Sequence, residues 1–190
     1  MNIDVKSLLR LPDNFKVLEK MPEDPNGCVT YGMSTESCNA FIQAFPISSK
    51  KTMPFGDTRT IINGIHQSLG DNQALIEVKN GRTKKGRLFV YSIVKTRQKE
   101  HGVEYFLLMH VAYDDCALSV NANFLEAGMT GYRDAAIWEL AHRKGIVSHE
   151  DKENWWFDPY DKDFNHPFLM NLSEKEELDK IFPEHPLTQS

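Results

Sequence analysis

Seven histidines, three cysteines and one acidic D-x-D-x-N stretch are the residues whose type and spacing could support chemistry in this chain. Asp161-Lys-Asp-Phe-Asn165 has the alternation with which the first half of a calcium loop presents its oxygens. The sixth position, however, is His166 where the sharp turn needs Gly, and the twelfth is Leu172 where a bidentate Glu closes the sphere, so a complete EF-hand is excluded. His66, His101, His110, His142, His149, His166 and His185 are scattered, with no H-E-x-x-H and no Cys/His pattern at zinc spacing. This predicts neither metal nor other cofactor, although His66, His110 and His142 fall on elements that could converge in space. Cys116 and His110 are the one nucleophile and base close in sequence. A hydrolase would also need an orienting acid, an oxyanion hole and a turn that exposes the nucleophile, and no G-x-S-x-G marks one. Cys116 therefore reads as structural. Gly81 to Gly86 lacks the Lys-Ser/Thr of a P-loop and falls between strands, away from any helix N-terminus.

Two stretches suit recognition better than catalysis. Lys79, Arg82, Lys84, Lys85 and Arg87 form a basic patch in a chain of net charge -5. Lys84, Lys85 and Arg87 could meet an acidic partner, or simply solvate a hairpin. No aromatic residues interleave with them as RNA stacking requires, and the overall charge gives no general attraction to nucleic acid or anionic membrane. The second stretch is the acidic, aromatic tail, where Tyr160, Asp161 and Phe164 are the exposed candidates. Its neighbour Trp155 or Trp156 is expected to dock on the body of the protein, because paired exposed tryptophans are uncommon on a soluble monomer. Cys28, Cys38 and Cys116 form no C-x-x-C and cannot all pair, which points to reduced thiols and a cytoplasmic setting. The first dozen residues lack the apolar core of a signal peptide, and no run is long enough to span a bilayer.

The elements that must position these residues follow from periodicity. Arg87 to Thr96 and Tyr105 to Tyr113 are rich in β-branched, aromatic and aliphatic residues around a polar break, the pattern of a long antiparallel hairpin. Leu88, Val90 and Val94 fall on one face and Phe89, Tyr91 and Ile93 on the other, so the hairpin should be central with cover on both sides. Phe15 to Glu19 reads as a short edge strand, and Cys28 to Met33 and Asn39 to Pro46 as a strand pair. A helix capped by Asp57 carries Ile61, Ile62, Ile65 and Leu69 and should end at Gly70. Ala74 to Val78 is a short strand, with Asn80-Gly81 opening the next connection. Leu118 to Phe124 alternates with Ser119, Asn121 and Asn123, giving one polar face. Tyr132 to Lys144 is a second helix, expected to pack on the sheet through Ile137 and Leu140 and to end at Gly145. Ser173 with Glu176 suggests a capping box for a last short helix.

Strands, helix, strands, helix in this order indicate an α+β fold: a twisted antiparallel sheet with helices packed on both faces, plus a C-terminal extension. The division expected is residues 1–147 for the α+β domain and 148–190 for the extension packed on it. Leu11-Pro-Asp-Asn-Phe15, Ile62-Asn-Gly-Ile-His-Gln67 and Phe124-Leu-Glu-Ala-Gly-Met-Thr-Gly-Tyr-Arg133 resemble, in order, the opening strand, first helix and late strand-turn-helix of the PsbP/DcrB-like family, whose fold also occurs in the Ran-binding Mog proteins. The resemblance covers roughly residues 11 to 145. It implies a non-catalytic protein that binds other proteins; the family's Ran-binding residues do not carry over, since no local match identifies them.

The sequence thus leads to a cytoplasmic protein-protein binding or assembly module whose partner is another protein, with no nucleic acid and no membrane. An enzyme of unknown reaction, using a polar groove near Ser119, Asn121 and Asn123, is the alternative.

Overall fold

The computed structural model describes residues 4–100, 102–148 and 154–190. His101, residues 1–3, and residues 149–153 with His149 lie outside the described residues. A one-turn helix, α1 (Val5–Leu8), leads to a two-residue edge strand, β1 (Lys16–Val17), and then to β2 (Val29–Ser34) and β3 (Cys38–Ile47). After α2 (Thr58–Ser68) come β4 (Gln73–Arg82), β5 (Leu88–Arg97), β6 (Val103–Ala112) and β7 (Ala117–Glu126), followed by α3 (Tyr132–Arg143). The tail holds a small ribbon, β8 (Trp156–Phe157) with β9 (Met170–Asn171), two 3₁₀ segments at Leu172–Glu174 and Glu176–Ile181, and the one-turn α4 (Pro186–Gln189). No helix among the described residues is long and apolar enough to cross a membrane.

The main sheet has seven strands in the order β1-β2-β3-β7-β6-β5-β4, every pair antiparallel. The β5–β6 hairpin is interior, paired from Phe89 opposite Val111 to Arg97 opposite Val103. β4 is longer than its apolar run suggests. Asn80-Gly81, a turn signal in isolation, lies inside the strand because Gly81 sits opposite Phe89, whose ring covers the place a side chain would occupy. The reversal falls instead at Thr83 to Gly86, where Gly86 takes φ +79° and Gly86 N–H donates to the Thr83 carbonyl at 2.8 Å. Lys79 and Arg82 are therefore strand residues.

Strand alternation assigns the two faces. Ala40, Ile42, Val120, Ala122, Phe124 and Tyr105 form the larger core with Val5 of α1 and with Met170 and Leu187 of the tail. On the opposite face α2 covers the β4–β5 side, burying Ile61 with Leu75, Val78 and Val90. Asp57 caps α2 by accepting from Thr60 N–H at 3.0 Å. The helix stops at Ser68 with Leu69 already extended, so Gly70 does not act as a left-handed cap.

The architecture is a mixed one, an antiparallel sheet with few helices, and α3 in particular does not pack on the sheet. Its Ile137 and Ala141 are buried with Val147 and Trp155, and Leu140, expected in the buried stripe, is 43% exposed. The tail supplies the apolar surface on which this stripe packs, with Leu172, Leu178 and Phe182 against the cluster. Ile137→Ala should therefore cost about 2–5 kcal/mol in urea unfolding, and Leu140→Ala no more than about 0.5 kcal/mol. Gly145 at φ +69° ends α3 as its sequence suggests. The last cap differs: Asn171 and Glu174 make the capping box, and Ser173, proposed for that role, is buried inside the turn.

The turn before α3 depends on Gly128. It takes φ +62°, and a Cβ there would stand 2.4 Å from the Glu36 carbonyl oxygen. Only glycine lets the two loops approach this closely.

Candidate functional site: a groove over β4, β5 and β6

The core face is not covered evenly. Tyr91 on β5, Leu107 and Met109 on β6, and Tyr113 just beyond are only half-buried, because α1 covers one side of this face and the tail the other, leaving a channel between. Three depressions run along it. One, of about 320 Å³, lies between α1 (Leu8, with Leu9 following) and the β4–β5 turn, and is lined by Lys84, Lys85, Arg87, Met109 and Tyr113. A second, of about 370 Å³, shares Met109 and continues over Tyr91, Ile93 and Leu107 to Glu77, Glu176 and Leu187. A third, of about 810 Å³ and more open, shares Ile76, Glu77, Met170 and Glu176 and reaches Phe157 and Tyr160. The first and second meet at Met109 and the second and third share Ile76, Glu77, Met170 and Glu176, so the three lie in a row along one face, over largely apolar side chains, and together form the candidate groove.

Its electrostatics are uneven. At the turn, Lys84 and Lys85 are exposed, and the Arg87 guanidinium lies 4.0 Å over the Tyr113 ring. Midway, Lys79 Nζ bridges Glu77 Oε1 and Glu176 Oε2, each at 2.7 Å. Those two carboxylates, Glu176 first, hold the Lys79 ammonium well above its ordinary pKa. The Tyr91 hydroxyl donates to Glu77 Oε2 at 2.5 Å; burial, together with that carboxylate, pushes its pKa far up. Lysine and tyrosine both stay protonated, which suits holding a surface in place and not proton transfer at neutral pH.

The structure brings Lys84, Lys85, Arg87 and Tyr160 onto this one groove. Asp161 and Phe164 fall outside it. The Phe164 ring stacks on His66 of α2 at 4.0 Å and faces His166 at 5.7 Å on its other side. His66 Nε2 lies 3.0 Å from Asp158 Oδ2, and Asp158 Oδ1 accepts from the Tyr160 and Asp161 backbone N–H groups. Tyr160 Oη accepts from Val78 N–H at 2.5 Å and donates to the Val78 carbonyl at 3.2 Å, closing part of the free edge of β4. Asp161 accepts from Asp163 N–H, a turn contact. Among the described residues no group of three or more His, Cys, Asp or Glu side chains converges as a metal site.

The other candidate chemistry is dispersed as well. His110 Nδ1 accepts from Met53 N–H at 2.9 Å, and burial lowers its pKa. Burial raises the Cys116 thiol. The two shifts favour neutral thiol and neutral imidazole over the ion pair that a cysteine nucleophile uses. Ser119 is buried and donates to Asn121, and Asn123 donates to Glu104 at 2.6 Å. These polar residues stand on the α2 face, beside the exposed Phe41 and Phe106, and are occupied with one another. Met109, Leu107 and Glu176, which complete the groove, were not among the sequence candidates. Alternation places the first two on the Tyr91 face, yet only the fold shows that they stay half-buried there.

No family model matches the chain, and no curated protein matches it. Among solved structures, it is similar to a protein of unknown function from Pseudomonas aeruginosa, with TM-score 0.40 and 10% identity over 72% of this chain and 98% of that one. It is also similar to the cyanobacterial PsbP (CyanoP) of Synechocystis sp., with TM-score 0.39 and 15% identity over 68% of this chain and 78% of that one. At these scores neither likeness carries an argument about function.

Proposed function

We propose that this chain is a non-catalytic binding module that holds an apolar segment of another protein in the groove, with acidic residues of that segment at the Lys84, Lys85 and Arg87 end. The observation that carries the reading is the continuity of the half-buried apolar floor from Tyr113 through Met109 to Tyr91, edged at one end by three cations. Half-buried aromatic and methionine side chains in a channel are the anchors that protein interfaces favour, and a charged end sets the direction of binding more than its strength. A binding role is also what the resemblance to PsbP/DcrB-like proteins implies. Three free thiols suit a reducing compartment, in keeping with a cytoplasmic setting. A net charge of -5 favours neither nucleic acid nor anionic membrane as partner. The body of residues 1–147 would supply the groove floor and the extension 148–190 one of its walls.

Two synthetic peptides with one apolar centre, one ending in three glutamates and the other in three lysines, test this reading by fluorescence anisotropy at low salt. The acidic peptide should bind at least about tenfold tighter, equivalent to roughly 1.4 kcal/mol. Lys84→Glu with Lys85→Glu should abolish the preference without changing the melting temperature appreciably. Equal binding, or preference for the lysine peptide, would refute the assignment.

A further inference from the structure

A further cavity, with no lining residue in common with the groove, lies where the turn before α3 meets the end of the tail. Its volume is about 420 Å³, within the range of roughly 300–1,000 Å³ typical of small-ligand pockets. We infer that this cavity binds a protonated alkylamine, seated in the corner between Tyr132 and Phe182 with its charge toward Glu36 and Glu184.

Three observations converge on that chemistry. The Tyr132 and Phe182 rings meet edge to face at 76° with centroids 6.1 Å apart, making an aromatic corner in which the exposed Tyr132 ring is the π-surface a cation can meet. The rim is unusually apolar for a surface: Met129 is 81% exposed, Tyr132 61% and Ile181 60%, and all three line this cavity. Such a rim suits an alkyl chain better than a hydrated ion. Finally, Glu36 and Glu184 are exposed at the mouth, and neither side chain has an ion pair among the described residues.

The cations already present do not cancel them. Arg133 lines the cavity with its Cζ 5.7 Å over the Phe182 ring, but it is buried and Asp179 Oδ1 neutralises it at 2.9 Å, so Tyr132 is the aromatic face left to a further cation. His185 Nδ1 accepts from Leu187 N–H at 3.2 Å, so its proton sits on Nε2, which faces Glu126 Oε1 at 3.3 Å. Glu126 adds a third carboxylate to the lining. Burial works to raise the Glu126 carboxyl, but bonds from His185, Gly131 N–H and Val103 N–H outweigh it and hold its pKa below the usual range. The balance inside the cavity is anionic.

The test uses the whole chain and four probes: n-hexylamine, 1-hexanol, hexanoate and an acetylated, amidated Ala-Lys-Ala peptide, followed by calorimetry and by the NMR signals of Met129 and Tyr132. Hexylamine should bind and move both signals, at least fivefold tighter than hexanol, and hexanoate should bind weakest. Glu36→Gln with Glu184→Gln should remove that advantage, and Tyr132→Leu should weaken hexylamine at least threefold while leaving hexanol little changed. Both changes are at exposed positions, and a matched melting temperature confirms folding. The peptide separates the two sources of the group: tighter peptide binding identifies a lysine side chain, tighter hexylamine binding a free amine. Met109→Trp, which blocks the groove, should leave all four affinities unchanged, so this inference and the groove reading fail separately. Hexanol binding as well as hexylamine, hexanoate binding better, or no shift of Met129 and Tyr132 at saturating hexylamine would overturn it.

Discussion

Replacing Glu174 with Gln should destabilise the protein by about 3–5 kcal/mol, the range for leaving a buried charge without its partner. Lys95 Nζ meets Glu174 Oε2 at 2.7 Å, and each side chain is only 1% exposed. The carboxylate also accepts from Tyr105 Oη at 3.0 Å and from Asn171 N–H at 2.8 Å. It therefore ties the hairpin end of β5 and β6, the β9 end of the ribbon and the first 3₁₀ turn of the tail to one point. The ammonium has further support from the Phe168 ring at 4.3 Å. Glutamine has one acceptor oxygen where the carboxylate has two, so it can keep the bond from Asn171 N–H or the one from Tyr105 Oη but not both as they stand, and it strands the lysine charge as well. Adding Lys95→Met should recover a large part of the loss, since removing both charges avoids the desolvation penalty. Urea unfolding of the two single variants and the double variant measures this directly. Additive losses in the double variant would show that the pair is not coupled.

Trp155→Ala should cost about 3–5 kcal/mol, as for other fully buried large aromatics. Trp155 is 5% exposed and stands edge-on to Trp138 of α3, with ring centroids 5.0 Å apart. It also meets Trp156 at 6.4 Å, and Trp156 leads to Phe168 at 6.0 Å. This chain of rings runs from α3 to Lys95 of β5, whose ammonium lies 5.3 Å over the Trp156 ring. Loss of Trp155 should therefore free α3 before it unfolds the sheet. Amide exchange in α3 should rise more than in β5 and β6; equal acceleration in both would mean the helix and the sheet unfold as one unit.

The sheet was readable because its signals are local. Alternation along β5 separates Leu88, Val90 and Val94 from Phe89, Tyr91 and Ile93, and the pairing of β5 with β4 and β6 keeps those sets on opposite faces. The helix α2 was equally plain, from Asp57 to its isoleucines. What escaped is long-range. The stripe of α3 was misjudged at Leu140 because its partner is a tail without periodicity. Lys95 looks like an ordinary strand-end lysine until Glu174, 79 positions later, is brought to it. The candidate site was half legible: Lys84, Lys85 and Arg87 stand out by charge and Tyr160 by composition. Their connection runs through Met109, Glu77 and Glu176, and depends on where the tail crosses the sheet.

The groove reading is tested most directly by photo-crosslinking in the source cells. A benzophenone amino acid is placed at Leu107 in the groove or at Phe41 on the opposite face, each with and without Met109→Trp. The account predicts one specific adduct from position 107, lost with Met109→Trp, and none of the same mass from position 41. An adduct formed equally from position 41, or one from position 107 that survives Met109→Trp undiminished, would contradict it.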